Sequence, residues 1–338
     1  MRNASRHWRA SKCRSVAAVL ATLGLLALAS LAWGAGPVTP LQAIQVLLGL
    51  SGDAEAHFIV FELRWPRTLL GLLVGACLGA SGAVLQAATR NPLAEPGLLG
   101  VSAGASFAVV LAIALGAGAA TLNLGVAILG AMVGCFLVLV VTQVRDVGDD
   151  PVRLVLAGAA FSGILMSLST LLLLYDQRTA DEIRFWVIGA LGGRPASNLQ
   201  WAFPGVLAGL AIAGATAPAL AALSLGEKVA LGLGHRPAFT RILAMTGVAI
   251  LVGTATAAAG PIIFVGLIVP FFARRLVGPD VRRALPLAML IGPVVLLVSD
   301  ILSRLAVRPY ELPIGVVTAC IGAPVLIAVV RSHRLPRL

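Results

Sequence analysis

The chain has 338 residues, 59% of them hydrophobic and 12% charged, with a formal net charge of +11. Soluble domains run nearer half apolar and a quarter charged, so this excess has no core large enough to hold it and lipid must be the solvent for much of the surface. The positive charges lie between apolar runs rather than along one face with interleaved aromatics, which fits a topogenic role and gives no nucleic-acid partner.

Taken in chain order, the basic start at 1–15 (Arg2, Arg6, Arg9, Lys12, Arg14) precedes an apolar run from Val16 to Trp33. Without a convincing cleavage site before Gly34, this reads as a retained first helix entering from the cytoplasm. The next run, at 66–88, is bounded by Arg64 and Arg67 at its outer end. Three residues apart, these two arginines are expected on nearly one helix face, either as an interface anchor or as a docking site for acidic groups on an external protein. Gln86, Arg90 and Asn91 stand at the inner end, just before Pro92 and Pro96. Proline disfavours helix at the residue before it, so the backbone there needs other partners, and the loop is read either as a gate lining a path or as a simple polar turn.

Further apolar runs follow at 98–117, 122–143, 152–174, 201–223, 240–261, 284–305 and 312–330. Each is near the ~20 residues needed to cross ~30 Å of hydrocarbon. Between 201–223 and 240–261, the segment 224–240 is the largest internal hydrophilic stretch, predicted as a short cytoplasmic helix closed by Gly232 or Gly234 with Pro237 beyond. Asp300 is the main acid within an apolar run, and Arg304 one turn later is its expected partner rather than a sign of a proton relay.

A shorter run, 262–272, follows Gly260-Pro261 and decides the topology. If it crosses, there are ten crossings, both termini are cytoplasmic, and only Arg64, Arg67, Arg178, Arg184, Arg194, Arg304 and Arg308 of the 25 Lys and Arg fall outside. If it does not, the cluster at 274–283 and the basic C-terminus move outside, against the positive-inside rule. Ten crossings are therefore expected. The second and seventh carry matching residues: Leu73-Val-Gly75, Ala80, Gly82 and Pro92 recur as Leu251-Val-Gly253, Ala258, Gly260 and Pro270. They run in opposite directions, the pattern of an inverted repeat beside a transport path.

Glycines at 71, 75, 79 and 82, and again at 97, 100 and 104, predict close helix packing in lipid. The four cysteines and four histidines show neither pairing nor metal spacing, so no metal site is expected. Gly226-Glu-Lys228 is not a phosphate loop, and neither HExxH nor GxSxG occurs. No catalytic residue is expected, and no nucleotide-hydrolysing apparatus of the chain's own.

The ordered blocks Arg64-Trp-Pro-Arg67, Gly79-Ala-Ser-Gly82 with Gln86, Arg90-Asn-Pro-Leu-Ala-Glu-Pro-Gly-Leu-Leu-Gly100, Gly260-Pro-Ile-Ile-Phe-Val-Gly-Leu-Ile-Val-Pro270, Ser299-Asp300 with Arg304, and Glu311-Leu-Pro-Ile-Gly315 through Thr318, Gly322 and Pro324 resemble the permease family of binding-protein-dependent ABC importers for ferric siderophores, haem and cobalamin. The resemblance spans nearly the whole chain. It implies an all-α polytopic membrane protein, the type II ABC importer permease: one integral membrane domain over 1–338, ten helices, helices 2–5 and 7–10 forming the inverted repeat. It implies a permease homodimer or heterodimer, two cytoplasmic ATP-binding subunits that use ATP and Mg, and a periplasmic or lipid-anchored binding protein, all at the inner membrane of a bacterium.

Residue by residue, Arg64, Arg67 and Arg304 match the family's docking arginines, and Asn91 and Leu93, with Gln86 and Pro92 beside them, match the inner gate. Leu225, Gly226, Ala230, Leu233 and Gly234 resemble the loop that fits into the ATPase. Two departures stand out: Phe271 replaces a histidine common in the family, and Trp65 replaces a leucine. Arg184-Phe-Trp186-Val-Ile-Gly189-Ala-Leu-Gly-Gly-Arg194 is similar to the ferric-siderophore branch, which makes ferric siderophore the first expectation. Haem and cobalamin are the alternatives, and an ion-coupled secondary transporter is the competing class.

Overall fold

The computed structural model describes residues 2–34, 36–117, 124–143, 151–175, 180, 188–194, 196–307 and 310–331, and all their regular structure is helical. The elements are α1 (Arg2–Ala32), α2 (Pro40–Leu47), α3 (Ala54–Phe58), a π-helical turn (Ile59–Arg64) and α4 (Trp65–Thr89). They continue with α5 (Val101–Ala114), α6 (Leu124–Gln143), α7 (Pro151–Tyr175), α8 (Ser197–Ser224) and α9 (Glu227–Gly232). The chain then forms α10 (Pro237–Ala259), α11 (Val265–Val277), α12 (Val281–Leu305) and α13 (Ile314–Arg331). Among the described residues six helices are long and apolar enough to cross a membrane, and three shorter apolar ones lie at Val101–Ala114, Gly125–Val138 and Ile314–Ala328.

Two boundaries differ from the sequence expectation. The second crossing does not begin at 66: helix runs unbroken from Ala54 to Thr89, 36 residues. Asp53 starts it, its carboxylate accepting the backbone N–H groups of Glu55 and Ala56. The π turn keeps the chain helical through Glu62 and Arg64, ahead of the apolar run. The short run at 262–272 also shifts. The chain leaves α10 at Gly260 (φ 76°), runs without helix through Phe264, and only then forms the 13 residues of α11. At 1.5 Å per residue α11 spans about 20 Å, so its first turn starts inside the bundle, beside Gly82 of α4.

Packing joins the two halves reciprocally. α4, which opens the first half, lies most extensively against α12 of the second, while α10, which opens the second, packs on α6 of the first; α4 and α10 also pack on each other. This exchange is what an inverted repeat produces when each half contributes one helix to the other's core. The α4–α12 contact is made backbone to backbone. A Cβ on Gly75 would lie 2.5 Å from the Pro293 nitrogen, one on Gly79 2.3 Å from the Ala288 oxygen, and one on Gly292 2.0 Å from the Gly75 oxygen. In lipid no hydrophobic effect draws helices together, so van der Waals contact of this closeness does that work. A second pair repeats the device, Gly104 of α5 against Gly130 of α6.

At the start of α12, Asp280 caps the helix through the Arg282 N–H and pairs with the Arg282 and Arg283 guanidiniums. Partial burial works against its charge, but the Arg282 hydrogen bonds and the two positive charges outweigh it and hold the carboxyl below its usual range. That cap is therefore intact at neutral pH and is lost as pH falls through the depressed value.

Candidate functional site

At one end of the bundle, Arg67 and Arg304 meet at Asp300, and Arg64 and Arg304 meet at the last turn of α1. The two that sequence spacing placed on one face reach different partners. Arg64 is buried and donates through Nη1 to the carbonyls of Leu31 (2.9 Å) and Ala32 (2.8 Å), and through Nη2 to that of Val38 (3.2 Å). Arg304, also buried, donates through Nη1 to the Ser30 and Trp33 carbonyls (both 2.9 Å) and through Nη2 to the Ser30 hydroxyl (2.8 Å). The last carbonyls of a helix have no partner within it and carry its negative dipole end, so two cations folded over α1 satisfy both demands. Ser30 also hydrogen-bonds the Thr68 hydroxyl at 2.8 Å, tying α1 to α4.

Arg67 turns the other way. Its Nε and Nη2 donate to one oxygen of Asp300 (2.9 and 2.8 Å), and Nη1 donates to both oxygens of Glu311 (3.0 and 2.8 Å). The expected Asp300–Arg304 pair is present at 2.8 Å. Asp300 is fully buried, so one carboxylate is shared between two guanidiniums away from water.

At the opposite end of α4, Gln86 is fully buried and lines no open path in this conformation. Its amide nitrogen donates to the carbonyls of Ala94 (3.2 Å) and Leu267 (3.2 Å), and its oxygen accepts from the buried Arg274 guanidinium. It is thus a staple between the 90–96 loop and α11. Arg90 ends α4 in the left-handed region (φ 49°) and donates to the Leu223 carbonyl at 2.7 Å, anchoring the loop to α8. Asn91 folds the loop by accepting the Leu93 N–H at 2.9 Å, an Asx turn that Pro92 favours. Leu93 is exposed, at the rim of an apolar cleft whose walls include Pro92, Leu267, Ile268, Phe271, Val325 and Leu326. Phe271, at the position where histidine was expected from the resemblance, helps line that cleft with its ring edge-on to Phe272. Gln86→Ala is expected to release the loop from α11 and to raise severalfold the rate at which a cysteine at position 93 reacts with a bulky thiol reagent. Equal rates in both backgrounds would show that the staple does not control the loop.

Two non-helical segments meet behind this loop. The Glu95 carboxylate accepts the N–H of Phe264, itself left-handed (φ 69°), and the Pro96 ring lies against Gly266. Non-helical backbone inside a membrane bundle needs such partners. Sequence reasoning assigned no role to Glu95, Arg274 or Glu311. Glu95 is the one acid in its loop and Arg274 ends a short apolar run, and those isolated charges were the available signal.

The segment 224–240 forms the short helix expected of it, α9, with Gly226 (φ 119°) before it and Gly234 (φ 82°) after it. Ala230 is buried, whereas Leu225, Leu231 and Leu233 are exposed, and Glu227 pairs with Arg241 at 2.6 Å. With Val229 also exposed, four large apolar side chains on and beside a tethered helix make an interaction surface. Arg178, Arg184, Phe185, Trp186, Val187 and Arg308, used in the topology and substrate-branch expectations, lie outside the described residues.

The comparisons agree with this architecture. The chain is 45% identical over 298 residues to the ferric enterobactin transport system permease protein FepD of Escherichia coli K12, covering 86% of this chain and 88% of that protein. It is 40% identical over 279 residues to the vitamin B12 import system permease protein BtuC of Salmonella paratyphi A, covering 81% and 84%. A solved inward-facing structure described as a metal-chelate type ABC transporter superposes with a TM-score of 0.78 at 30% identity, over 94% of this chain and 99% of that one. The FecCD transport family model matches residues 22–332, and the chain belongs to that family.

Proposed function

We propose that this chain is the membrane-spanning subunit of an ATP-driven importer that receives ferric siderophore from an external binding protein and releases it into the cytoplasm. The observation that carries the reading is the segment around α9: a glycine-bounded helix that exposes Leu231, flanked by exposed Leu225 and Leu233, in a chain with no phosphate loop of its own. Such a subunit takes its energy through a contact with a separate ATP-binding protein. Gly226, Gly234 and buried Ala230 set the shape of that contact, and Leu225 and Leu233 make it. The identity to a ferric enterobactin permease favours ferric siderophore over cobalamin as cargo.

In this reading the chain makes ten crossings with both termini cytoplasmic, pairs with a second permease copy or a related chain, and carries two ATP-binding subunits. It occupies the bacterial inner membrane as one domain. Asn91, Pro92 and Leu93 form the inner gate, with Gln86 holding them. Docking of the binding protein falls to the outer arginines with a division of labour: Arg67 faces the partner, while Arg64 and Arg304 shape the surface from behind.

The test is uptake of radiolabelled ferric siderophore, haem and cobalamin into cells lacking the chain. Loss of ferric siderophore uptake alone is the expected result, and loss of only haem or cobalamin uptake would replace the cargo while keeping the mechanism. Gly226→Asp, which forces a side chain onto a φ of 119°, is expected to cut uptake at least tenfold and to uncouple ATP hydrolysis from the binding protein. Full uptake by that variant would remove α9 from the coupling role.

A further inference from the structure

We infer that Glu311 is an internal stand-in: its carboxylate holds Arg67 until a carboxylate on the docking protein takes its place. The inference rests on the docking reading above and adds how that site is regulated. The hydrogen-bond geometry of Arg67 favours this route. Each of its three guanidinium nitrogens already donates to a carboxylate, Nε and Nη2 to Asp300 and Nη1 to Glu311, which leaves at most a single Nη2 N–H for an arriving acid. A two-pronged grip needs one of the resident acids to leave.

The two acids differ in how readily they can. Asp300 has a side chain 0% exposed and is 2.8 Å from both Arg67 and Arg304. Removing it would strand two buried cations, which costs several kcal/mol. Glu311 has a side chain 37% exposed and touches Arg67 alone among the charged groups of the described residues. Ion pairs open to water to this degree hold weakly. Glu311 also lies on the link between α12 and α13, where residues 311–313 are non-helical and the neighbouring Leu312 N–H donates to the Ser303 carbonyl at 3.0 Å. The side chain can swing away without unwinding a helix.

Gly192 supplies the approach. A Cβ there would come within 2.9 Å of Arg67 Nη1 and 3.3 Å of a Glu311 oxygen, so the missing side chain keeps that flank of the pair open. Arg64 and Arg304 offer nothing comparable, being 4% and 2% exposed with their donors turned onto carbonyls of the chain itself. Exchange of one carboxylate for another conserves charge and hydrogen-bond count at Arg67. Docking through it is then reversible, as a binding protein that must leave after each delivery requires.

The experiment measures affinity of the importer's own purified binding protein for the intact transporter complex in lipid nanodiscs, across a salt series. Arg67→Ala is expected to weaken association at least tenfold. Glu311→Gln, which keeps shape and removes the competing charge, is expected to strengthen it about two- to fivefold and to steepen its salt dependence. The double variant should match Arg67→Ala alone. Weakening by Arg67→Ala with unchanged or reduced affinity for Glu311→Gln overturns the exchange and leaves the docking reading standing. No effect of Arg67→Ala removes the docking reading and the exchange with it. Should the Arg67→Ala complex fail to assemble, Glu311→Gln decides alone: wild-type affinity at low and high salt overturns the inference.

Discussion

Gly82→Ala is expected to leave little folded protein in the membrane and no measurable uptake. The added methyl would stand 1.9 Å from the Gly266 oxygen and 2.6 Å from its carbonyl carbon. Carbon and carbonyl oxygen approach to about 3.3 Å at closest, so α4 and the start of α11 would have to separate by more than about 1 Å. That shift would also part the Gln86 amide from the Leu267 carbonyl and the Glu95 carboxylate from the Phe264 N–H, because both bonds cross the same seam. Overpacking a soluble core costs ~1–3 kcal/mol, and here the lost van der Waals contact is itself what holds the helices together. The check is protein level in membranes together with thermal unfolding in detergent. Gly163→Ala is the control, since a Cβ there meets nothing within 4 Å and a mid-helix alanine is favoured over glycine. Wild-type stability of Gly82→Ala would mean that the two backbones are not in contact there.

Asp300→Asn is expected to be nearly as damaging by an electrostatic route. The amide keeps the size of the side chain but removes the charge that sits 2.8 Å from Arg67 and 2.8 Å from Arg304. Arg304 then has only carbonyls and a hydroxyl for company, and Arg67 has only the partly exposed Glu311. Removing one partner of a buried ion pair costs ~3–5 kcal/mol because the other is left charged and dry. The loss should appear as a lower unfolding midpoint of the purified complex. Adding Arg67→Ala to Asp300→Asn should then cost less than the two single losses summed, since both disrupt one network. An unchanged midpoint for Asp300→Asn, or strict additivity, would show Arg67 and Arg304 to be independent of it.

Much of this architecture is legible in the sequence because lipid restricts the choices. Long apolar runs must be helices, and glycines spaced by three or four residues on one of them must face a neighbour, so 71, 75, 79 and 82 announced the α4 seam. The α9 helix was readable from Gly226, Gly234 and Pro237, each a local signal. The Asp300–Arg304 pair was readable for the same reason, being one turn apart.

What the sequence hid is long-range. Arg64 reads as an interface anchor or docking group and Arg304 as the partner of Asp300, and nothing local shows that both also reach carbonyls at residues 30–33, which no pattern of side chains encodes. Gln86 looked like a path residue because a glutamine in an apolar helix is conspicuous; its burial follows from α11 arriving beside it, some 180 residues later. The early start of the second helix lies outside the apolar run at 66–88, and it is set instead by Asp53 acting as a cap. The break at 260–264 was half visible in Gly260-Pro261, but its length depends on where Glu95 offers the Phe264 N–H an acceptor.

The seam between α4 and α12 also constrains motion. With Gly75, Gly79 and Gly292 letting backbone rest on backbone, axial sliding by even a fraction of a turn would drive a carbonyl into Pro293 or Ala288. An inverted-repeat carrier that works alone opens by rocking one half against the other, and in this chain those halves are keyed together. The polypeptide therefore behaves as one solid rocker. With the pairing proposed above, a large cargo would pass along the seam between two permease chains rather than through either one, and helices such as α7, whose described side chains face mostly outward, leave surface for that seam.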